Sequence, residues 1–375
     1  MTARRIRVDQ LLPAAHVRDA TGDAAVHLAV GLERAGFDAG IYALTIDREL
    51  AGRVKPLQAF EPPGSADVTI LHYALASPLD TKLLECAGKR VIVYHNLTPP
   101  EMLLPLCPEV ARLTKIGRDQ LVELAHSGGV DLAIGVSEYN TADLARVGFS
   151  STTTLPLPID LARYDVESEP VLAEQLAWPG QVFLTVGRLS PNKRLEDFLR
   201  IAAYYNRYVH SSSRFYIVGG GTGLGAYTTA LMDLYRQLEL NNRVMFLGRV
   251  SHRDLVTLYR AADAYLCTSD HEGFCAPLIE AMHFGVPILA RHAAAIPETL
   301  GNAGVTYSDD DPARVAEALW VLATDQLLRR QLRRNAQRRI AVFSPEAVIP
   351  RWITALAELS GRPAPASSSA PGAAA

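Results

Sequence analysis

The feature that most restricts the fold of this chain is an alternation running along its whole length. Short runs of β-branched and aromatic residues are separated by longer stretches with apolar residues at helical spacing. Such alternation specifies βαβ units, in which parallel strands are covered on both faces by helices. Strands are expected at 6–12, 37–44, 68–73, 90–95, 131–136 and 152–157. The series then restarts at 181–186 and continues at 214–218, 243–246, 264–268, 287–290 and 304–307. The expected fold class is α/β with two doubly wound domains, for which 375 residues give room. Open parallel sheets take ligands at the carboxyl ends of their strands, so function is expected on loops facing a cleft between the domains.

Between the two series, residues 160–180 carry Asp165, Glu167, Glu169, Pro170 and Pro179, a composition suited to a linker. The expected division is an N-terminal domain at 1–165, a C-terminal domain at 166–345 and a C-terminal helix at 346–360. That helix carries Trp352, Ile353 and Leu356 and is expected to pack back toward the N-terminal domain. Residues 361–375, rich in Pro, Ser and Ala, read as a disordered tail. One helix is expected at 22–36 with Gly36 as its stop, and another framed by Asn140 with Asp143 and by Gly148.

Composition removes several classes of function. Hydrophobic residues make up 49% and charged residues 21%, which excludes a disordered or fibrous chain. Thirty-seven Lys and Arg face 40 Asp and Glu, so the basic excess of a nucleic-acid binder is missing. Cys86, Cys107, Cys267 and Cys275 fit neither zinc-ligand nor disulfide spacing. His16, Arg18 and Asp19 interrupt the apolar stretch near the start, and no run long enough to span a membrane follows, so a cytoplasmic location is expected. The run Arg329, Arg330, Arg333, Arg334, Arg338 and Arg339 reads as a solvated helix, with peripheral contact to anionic lipid as the alternative.

Some motifs fail on inspection. Gly221-x-Gly223-x-x-Ala226 has the form of a dinucleotide fingerprint, yet the strand that follows ends in Phe246-Leu247-Gly248 without the acid a ribose needs. Asp309-Asp310-Asp311 has metal-binding spacing, but Asp311 before Pro312 reads as a helix cap. His271-Glu272 opens a metalloprotease pattern whose second histidine is replaced by Cys275.

Two constellations carry more. Arg188 and Lys193 follow a strand through Gly187, with Pro191 and Asn192 turning the chain before a helix near Leu195. Two cations at a strand end suit a diphosphate, since Arg engages two oxygens at once and Lys supplies a point charge. Glu272 and Glu280 bracket a turn from strand into helix, where free N–H groups favour an anionic or hydroxyl-rich ligand. Two carboxylates at this spacing suit a sugar and a ribose on one ligand. The plainer alternative makes Glu280 a helix-surface residue and Glu272 a cap.

Together these segments resemble the retaining nucleotide-sugar glycosyltransferases of sequence family four, which have the two-domain, Rossmann-like GT-B fold. The resemblance rests on Val186-Gly187-Arg188-Leu189-Ser190-Pro191-Asn192-Lys193, on Phe246-Leu247-Gly248-Arg249-Val250 and on Glu272 and Glu280 with seven residues between them. Gly285-Val286-Pro287 and Ile296-Pro297-Glu298 extend it. In the N-terminal half, Asp19-Ala20-Thr21-Gly22-Asp23-Ala24 is similar to the family's first glycine turn, and the segment beginning Tyr94-His95-Asn96 to a histidine loop.

The resemblance implies that Arg188 and Lys193, with Gly187 beside them, hold the donor diphosphate and steady the leaving group. It implies that Glu280 binds the ribose and that Glu272 binds the sugar hydroxyls, next to Gly273, Phe274 and Cys275. Arg249 and Val250 would face the base, Gly22 the diphosphate, and His95 the transferred sugar and acceptor, with a weaker claim for His72. A hexose would pass with retention from UDP-hexose or GDP-mannose to a saccharide, lipid-linked or small-metabolite acceptor. Neither metal nor cofactor is expected, and the nucleotide sugar is a substrate. The alternatives are a phosphorylase or epimerase on the same fold, or a subunit that binds nucleotide sugars without turnover.

Overall fold

The computed structural model describes residues 5–17, 19–65, 67–221 and 225–361. Residues 362–375 of the expected tail, and Gly223 of the glycine loop, lie outside the described residues. One sheet contains β1 (Arg7–Ala15), β2 (Asp38–Ile46), β3 (Lys55–Pro56), β4 (Val68–Tyr73), β5 (Lys89–Tyr94), β6 (Leu132–Gly135) and β7 (Thr152–Thr154), in the order β3-β2-β1-β4-β5-β6-β7. The other contains β8 (Val182–Val186), β9 (Arg214–Val218), β10 (Val244–Gly248), β11 (Ala264–Cys267), β12 (Ile288–Arg291) and β13 (Val305–Tyr307), in the order β10-β9-β8-β11-β12-β13. Every pairing is parallel, as the alternation predicts. Strand order reverses beside β1 in one sheet and beside β8 in the other, which places a crevice at the carboxyl ends of those strands. β3 was not expected, because two residues ending in Pro56 carry no strand signal and pair only at the sheet edge.

The central strands are largely apolar because helices cover both faces. All six residues of β4 are buried, including Thr69 and His72. The helix Ala20–Arg34 starts at Asp19, whose carboxylate accepts the Gly22 N–H, and Gly36 at φ 91° follows it. The helix Glu138–Val147 corrects the expected cap. Ser137 stands there in extended conformation and accepts the Asn140 N–H, while Asn140 and Asp143 are buried within the helix. Gly148, at φ 115°, ends it.

Contacts divide the chain into two compact units. The first runs to Leu97 and adds Leu113–Asp160 and the chain from Val342, and the second is Thr98–Arg112 with Leu161–Ala341. The boundary therefore falls at 160/161 rather than 165/166, and the expected linker is structured. Tyr164 is buried there, and a helix spans Pro170–Leu176. Residues 98–112 join the second unit because Leu103, Cys107 and Ala111 pack into the core formed by Phe198, Leu199 and Phe215.

The C-terminal helix, Pro345–Ser360, belongs to the first unit. Trp352 is 1% exposed and donates its indole N–H to the Pro156 carbonyl at 3.2 Å. Ile349 lies so close over Gly31 that a methyl group there would come within 2.7 Å of it. In the arginine-rich helix Gln326–Ile340, Arg329 donates to the carbonyls of Asp263 and Ala323, and Arg339 to those of Glu298 and Thr299. These two guanidinium groups fasten the helix to its own unit, while Arg330, Arg333 and Arg334 are exposed.

Candidate functional site

In the second unit the ends of β8, β9 and β10 are drawn together by backbone bonds. The Gly187 N–H donates to Val218, the Gly219 N–H to Gly248 and the Leu189 N–H to Gly220. Gly219 sits at φ 133°, and a Cβ there would come 1.9 Å from the Gly187 carbonyl oxygen, so glycine is required. Arg188 extends from this junction, exposed and without an ion pair among the described residues. After it, Pro191–Lys193 forms a single 3₁₀ turn, and Arg194 at φ 47° leads into the helix Leu195–Tyr204.

The turn is clipped to the loop after β11. Arg194 pairs with Asp270 at 2.9 Å, Asn192 donates to the His271 carbonyl at 3.0 Å and accepts the Asp270 N–H at 2.9 Å. This register brings the Lys193 ammonium within 2.5 Å of the Glu272 carboxylate, their side chains only 17% and 12% exposed. Burial opposes the charge on Lys193, but the Glu272 carboxylate outweighs it and holds the ammonium above its ordinary pKa. Glu272 is therefore a partner of Lys193 and does not cap the helix. Gly187, Arg188, Lys193 and Cys275 line one small cavity of about 10 Å³, so residues from the loops after β8 and β11 meet at one point.

Gly273 and Phe274 carry the chain to Cys275, whose φ of 61° opens the helix Ala276–His283 with no side-chain cap. The Phe274 carbonyl is fixed by the Thr299 hydroxyl at 2.6 Å. A hydrogen bond with Cys267, together with burial, pushes the Cys275 thiol well up, which leaves it protonated and structural. Glu280 is buried rather than on the helix surface. It accepts from the Tyr259 hydroxyl at 2.8 Å and lies 3.7 Å from Arg163. A carboxylate has about four acceptor positions, so capacity remains for a ligand's hydroxyls. Arg163 was missed because it falls in the expected linker. Its carbonyl accepts from the His252 ring at 2.6 Å, which ties that segment to the helix His252–Ala261. Arg249 is exposed beside Gly220, and Val250 is half-buried.

A groove of about 460 Å³ lies along the other side of the Pro191–Lys193 turn, lined by Met102, Leu106, Asn192, Arg194 and Tyr227. The acidic run Asp309-Asp310-Asp311 is engaged by protein cations and a helix start. Asp309 pairs with Arg314 and Asp310 with Arg291, and Asp311 caps the helix Pro312–Thr324.

In the first unit Gly22 is buried against the His16 carbonyl, where a Cβ would come within 3.3 Å. His95 follows β5, its N–H on the Tyr73 carbonyl. Its Nε2 lies 2.9 Å from His72 Nδ1, and His72 Nε2 lies 2.8 Å from Gln10 Oε1. Burial pushes His95 down to about 3 and His72 well below its ordinary value, so both rings are neutral near pH 7. The next residue, Asn96 at φ 87°, donates to Asn140, and Asn140 donates to the Tyr94 carbonyl. Arg118, Asp143 and the Tyr94 hydroxyl form a bonded cluster beneath this loop, and that hydroxyl accepts the Leu97 N–H. Gln10, Asn140 and Asp143 thus belong to the setting of His95; the spacing of Asn140 and Asp143 is the one sequence signal among them, and Gln10 gives none.

Residues 173–339 match a family model described as glycosyl transferases group 1. Over 187 residues the chain is 30% identical to O-antigen chain mannosyltransferase B of Escherichia coli, an overlap covering 48% of each. It is 29% identical over 347 residues to D-inositol 3-phosphate glycosyltransferase 2 of Catenulispora acidiphila, covering 86% of this chain and 77% of that one. The match spans about half the length of the mannosyltransferase and 37% of another curated relative. Among solved structures, Anabaena HepE in complex with UDP and glucose superposes with a TM-score of 0.73 at 20% identity, covering 94% of this chain and 100% of that one.

Proposed function

This chain carries at residues 173–339 a domain of the glycosyl transferases group 1 family, an enzyme family, on the two-domain GT-B fold, and from that premise we propose that it is a retaining hexosyltransferase. In this reading it moves a hexose from UDP-hexose or GDP-mannose to an acceptor hydroxyl without a metal. The observation that carries the reading is the nearly buried Lys193–Glu272 pair beside Arg188, at the carboxyl ends of β8 and β11.

Arg188 engages two oxygens of the donor diphosphate and Lys193 adds a point charge. These cations offset the charge that develops on the departing phosphate, which is the largest electrostatic demand of the transfer. With Lys193 shared by the diphosphate, Glu272 accepts hydrogen bonds from the sugar hydroxyls. Glu280 binds the ribose, Arg249 and Val250 meet the base, and Gly22 and His95 serve from the first unit. As the C1–phosphate bond breaks, the acceptor oxygen bonds to C1 on the same face, and the phosphate leaves with the acceptor's proton. That one relative is a mannosyltransferase and that the similar fold of HepE holds UDP and glucose keeps both donor series in this reading.

The test is calorimetric titration with UDP and with GDP, each in EDTA and again with magnesium. One nucleotide is expected to bind saturably and identically in both buffers, and binding that requires magnesium overturns the metal-free reading. Arg188→Ala and Lys193→Ala are each expected to abolish nucleotide release from UDP-glucose or GDP-mannose, and near-normal turnover by either refutes the assignment.

A further inference from the structure

We propose that Gln10 and His72 are positioning residues that lock His95 in a single tautomer, protonated at Nε2 and bare at Nδ1, so that His95 meets a substrate hydroxyl as a hydrogen-bond acceptor. The proposal rests on the reading above, in which His95 serves the transfer.

The assignment follows from donor and acceptor identity, starting at the buried end. The Ala25 carbonyl, inside the helix Ala20–Arg34, can only accept, and Gln10 Nε2 lies 2.9 Å from it. The amide nitrogen of Gln10 therefore points there, and its oxygen faces His72 Nε2 at 2.8 Å. An amide oxygen also only accepts, so His72 carries its proton on Nε2. His72 is 1% exposed, and its recorded side-chain partners are the neutral Gln10 and His95, so a second proton would leave a buried charge uncompensated. The neutral ring has a bare Nδ1, to which His95 Nε2 donates at 2.9 Å. His95 is half-buried, with its Nε2 against the uncharged His72 ring, and desolvation keeps it neutral, which leaves its Nδ1 unprotonated and without a partner among the described residues. The opposite polarity would set the Gln10 oxygen against the Ala25 oxygen and is excluded.

The surroundings argue against a merely structural role. Gln10 sits at 0% exposure in β1 between Asp9 and Leu11, and His72 follows Ile70 and Leu71 in β4. An apolar pair would fill the same space without the desolvation that these polar groups incur. The backbone next to His95 is fixed independently, since Asn96 is held at positive φ by Asn140. Asn96 and Asn140 thus fix the backbone beside the ring, while His72, stacked on the His95 ring and backed by Gln10, orients the ring and sets its protonation.

The test is nitrogen-15 spectroscopy of the histidine rings in the full chain without substrate, the His95 signals being assigned by their loss in His95→Gln. Wild-type His95 is expected as the Nε2–H tautomer. Gln10→Met is expected to give a mixture of tautomers and to lower kcat about 10–100-fold, with KM for the nucleotide sugar within about threefold. His72→Leu is expected to match it. His72→Asn, whose Oδ1 takes the place of the bare ring nitrogen, is expected to recover most of that loss. An Nδ1–H tautomer in the wild type overturns the proposal, as do equal effects of His72→Asn and His72→Leu. The spectrum is read on free protein, so it stands or falls separately from the transferase reading, which fails if no nucleotide sugar is turned over.

Discussion

Breaking the Lys193–Glu272 pair is expected to unfold the second unit more easily, by an amount that the geometry sets. At 2.5 Å separation and an effective dielectric of roughly 20, the attraction is about 7 kcal/mol. Most of it offsets the removal of two ions from water, because both side chains are less than a fifth exposed. Truncating one partner leaves the other buried and unpaired, so Lys193→Met and Glu272→Gln should each cost about 3–5 kcal/mol. The double variant leaves no uncompensated charge and should cost less than either single change, which gives a coupling energy of several kcal/mol in a double-mutant cycle. Urea unfolding followed by tryptophan fluorescence measures this, since Trp178 and Trp320 both lie in the second unit. Single losses below about 1 kcal/mol that add in the double variant would refute the reasoning, because they would mean the pair behaves as a solvent-screened surface contact.

Two further predictions concern the frame. Burial pushes the Asp9 carboxyl from 3.8 up to about 6 against the pull of Arg7, so the folded state binds the proton more tightly than the unfolded one. Its stabilisation is therefore present in acid and is lost as pH rises from about 4 through about 6, by about 3 kcal/mol. The difference in unfolding free energy between wild type and Asp9→Asn, followed across that window, is expected to change by this amount, and parallel curves refute it. Gly219→Ala forces a side chain to φ 133° and into the Gly187 carbonyl. It should cost about 3 kcal/mol or more and lower Tm by roughly 6–12 °C, and a melting curve unchanged from wild type contradicts the close approach.

The fold was legible because parallel strands buried on both faces leave unbroken apolar runs. β4 and β9 fall where expected, and other major strands shift by a few residues at their ends. Gly187, Lys193, Glu272 and Cys275, the residues expected on the donor side, stood out for a different reason: they lie in the turns that lead from strands into helices, where composition changes abruptly. Residues whose role depends on a distant neighbour gave no signal. Gln10 lies within an apolar strand and meets His72 only through sheet pairing, 62 positions away. Arg163 reaches Glu280 across 117 positions, and it lies in a stretch whose charge and prolines suggest a linker. Asn140 and Asp143 did stand out, but spacing alone could not separate a cap from a buried polar scaffold under the His95 loop. The segment 98–112 was assigned to the first unit by sequence proximity, whereas the contacts of Leu103 and Cys107 decide otherwise.

The C-terminal helix also has a consequence for how the protein is made. The first unit is completed by residues from Val342 onward, yet Leu161–Ala341 must be synthesised before that segment exists. At translation speeds of about 5–20 residues per second, the delay is roughly 10–40 s. During that time the surface of Ala20–Arg34 around Gly31, later covered by Ile349, stays open to other apolar chains, as does the Pro156 carbonyl that later receives Trp352. The nascent first unit therefore waits unfinished on the ribosome while the second unit emerges, and that interval is when a chaperone or a misplaced neighbour meets it.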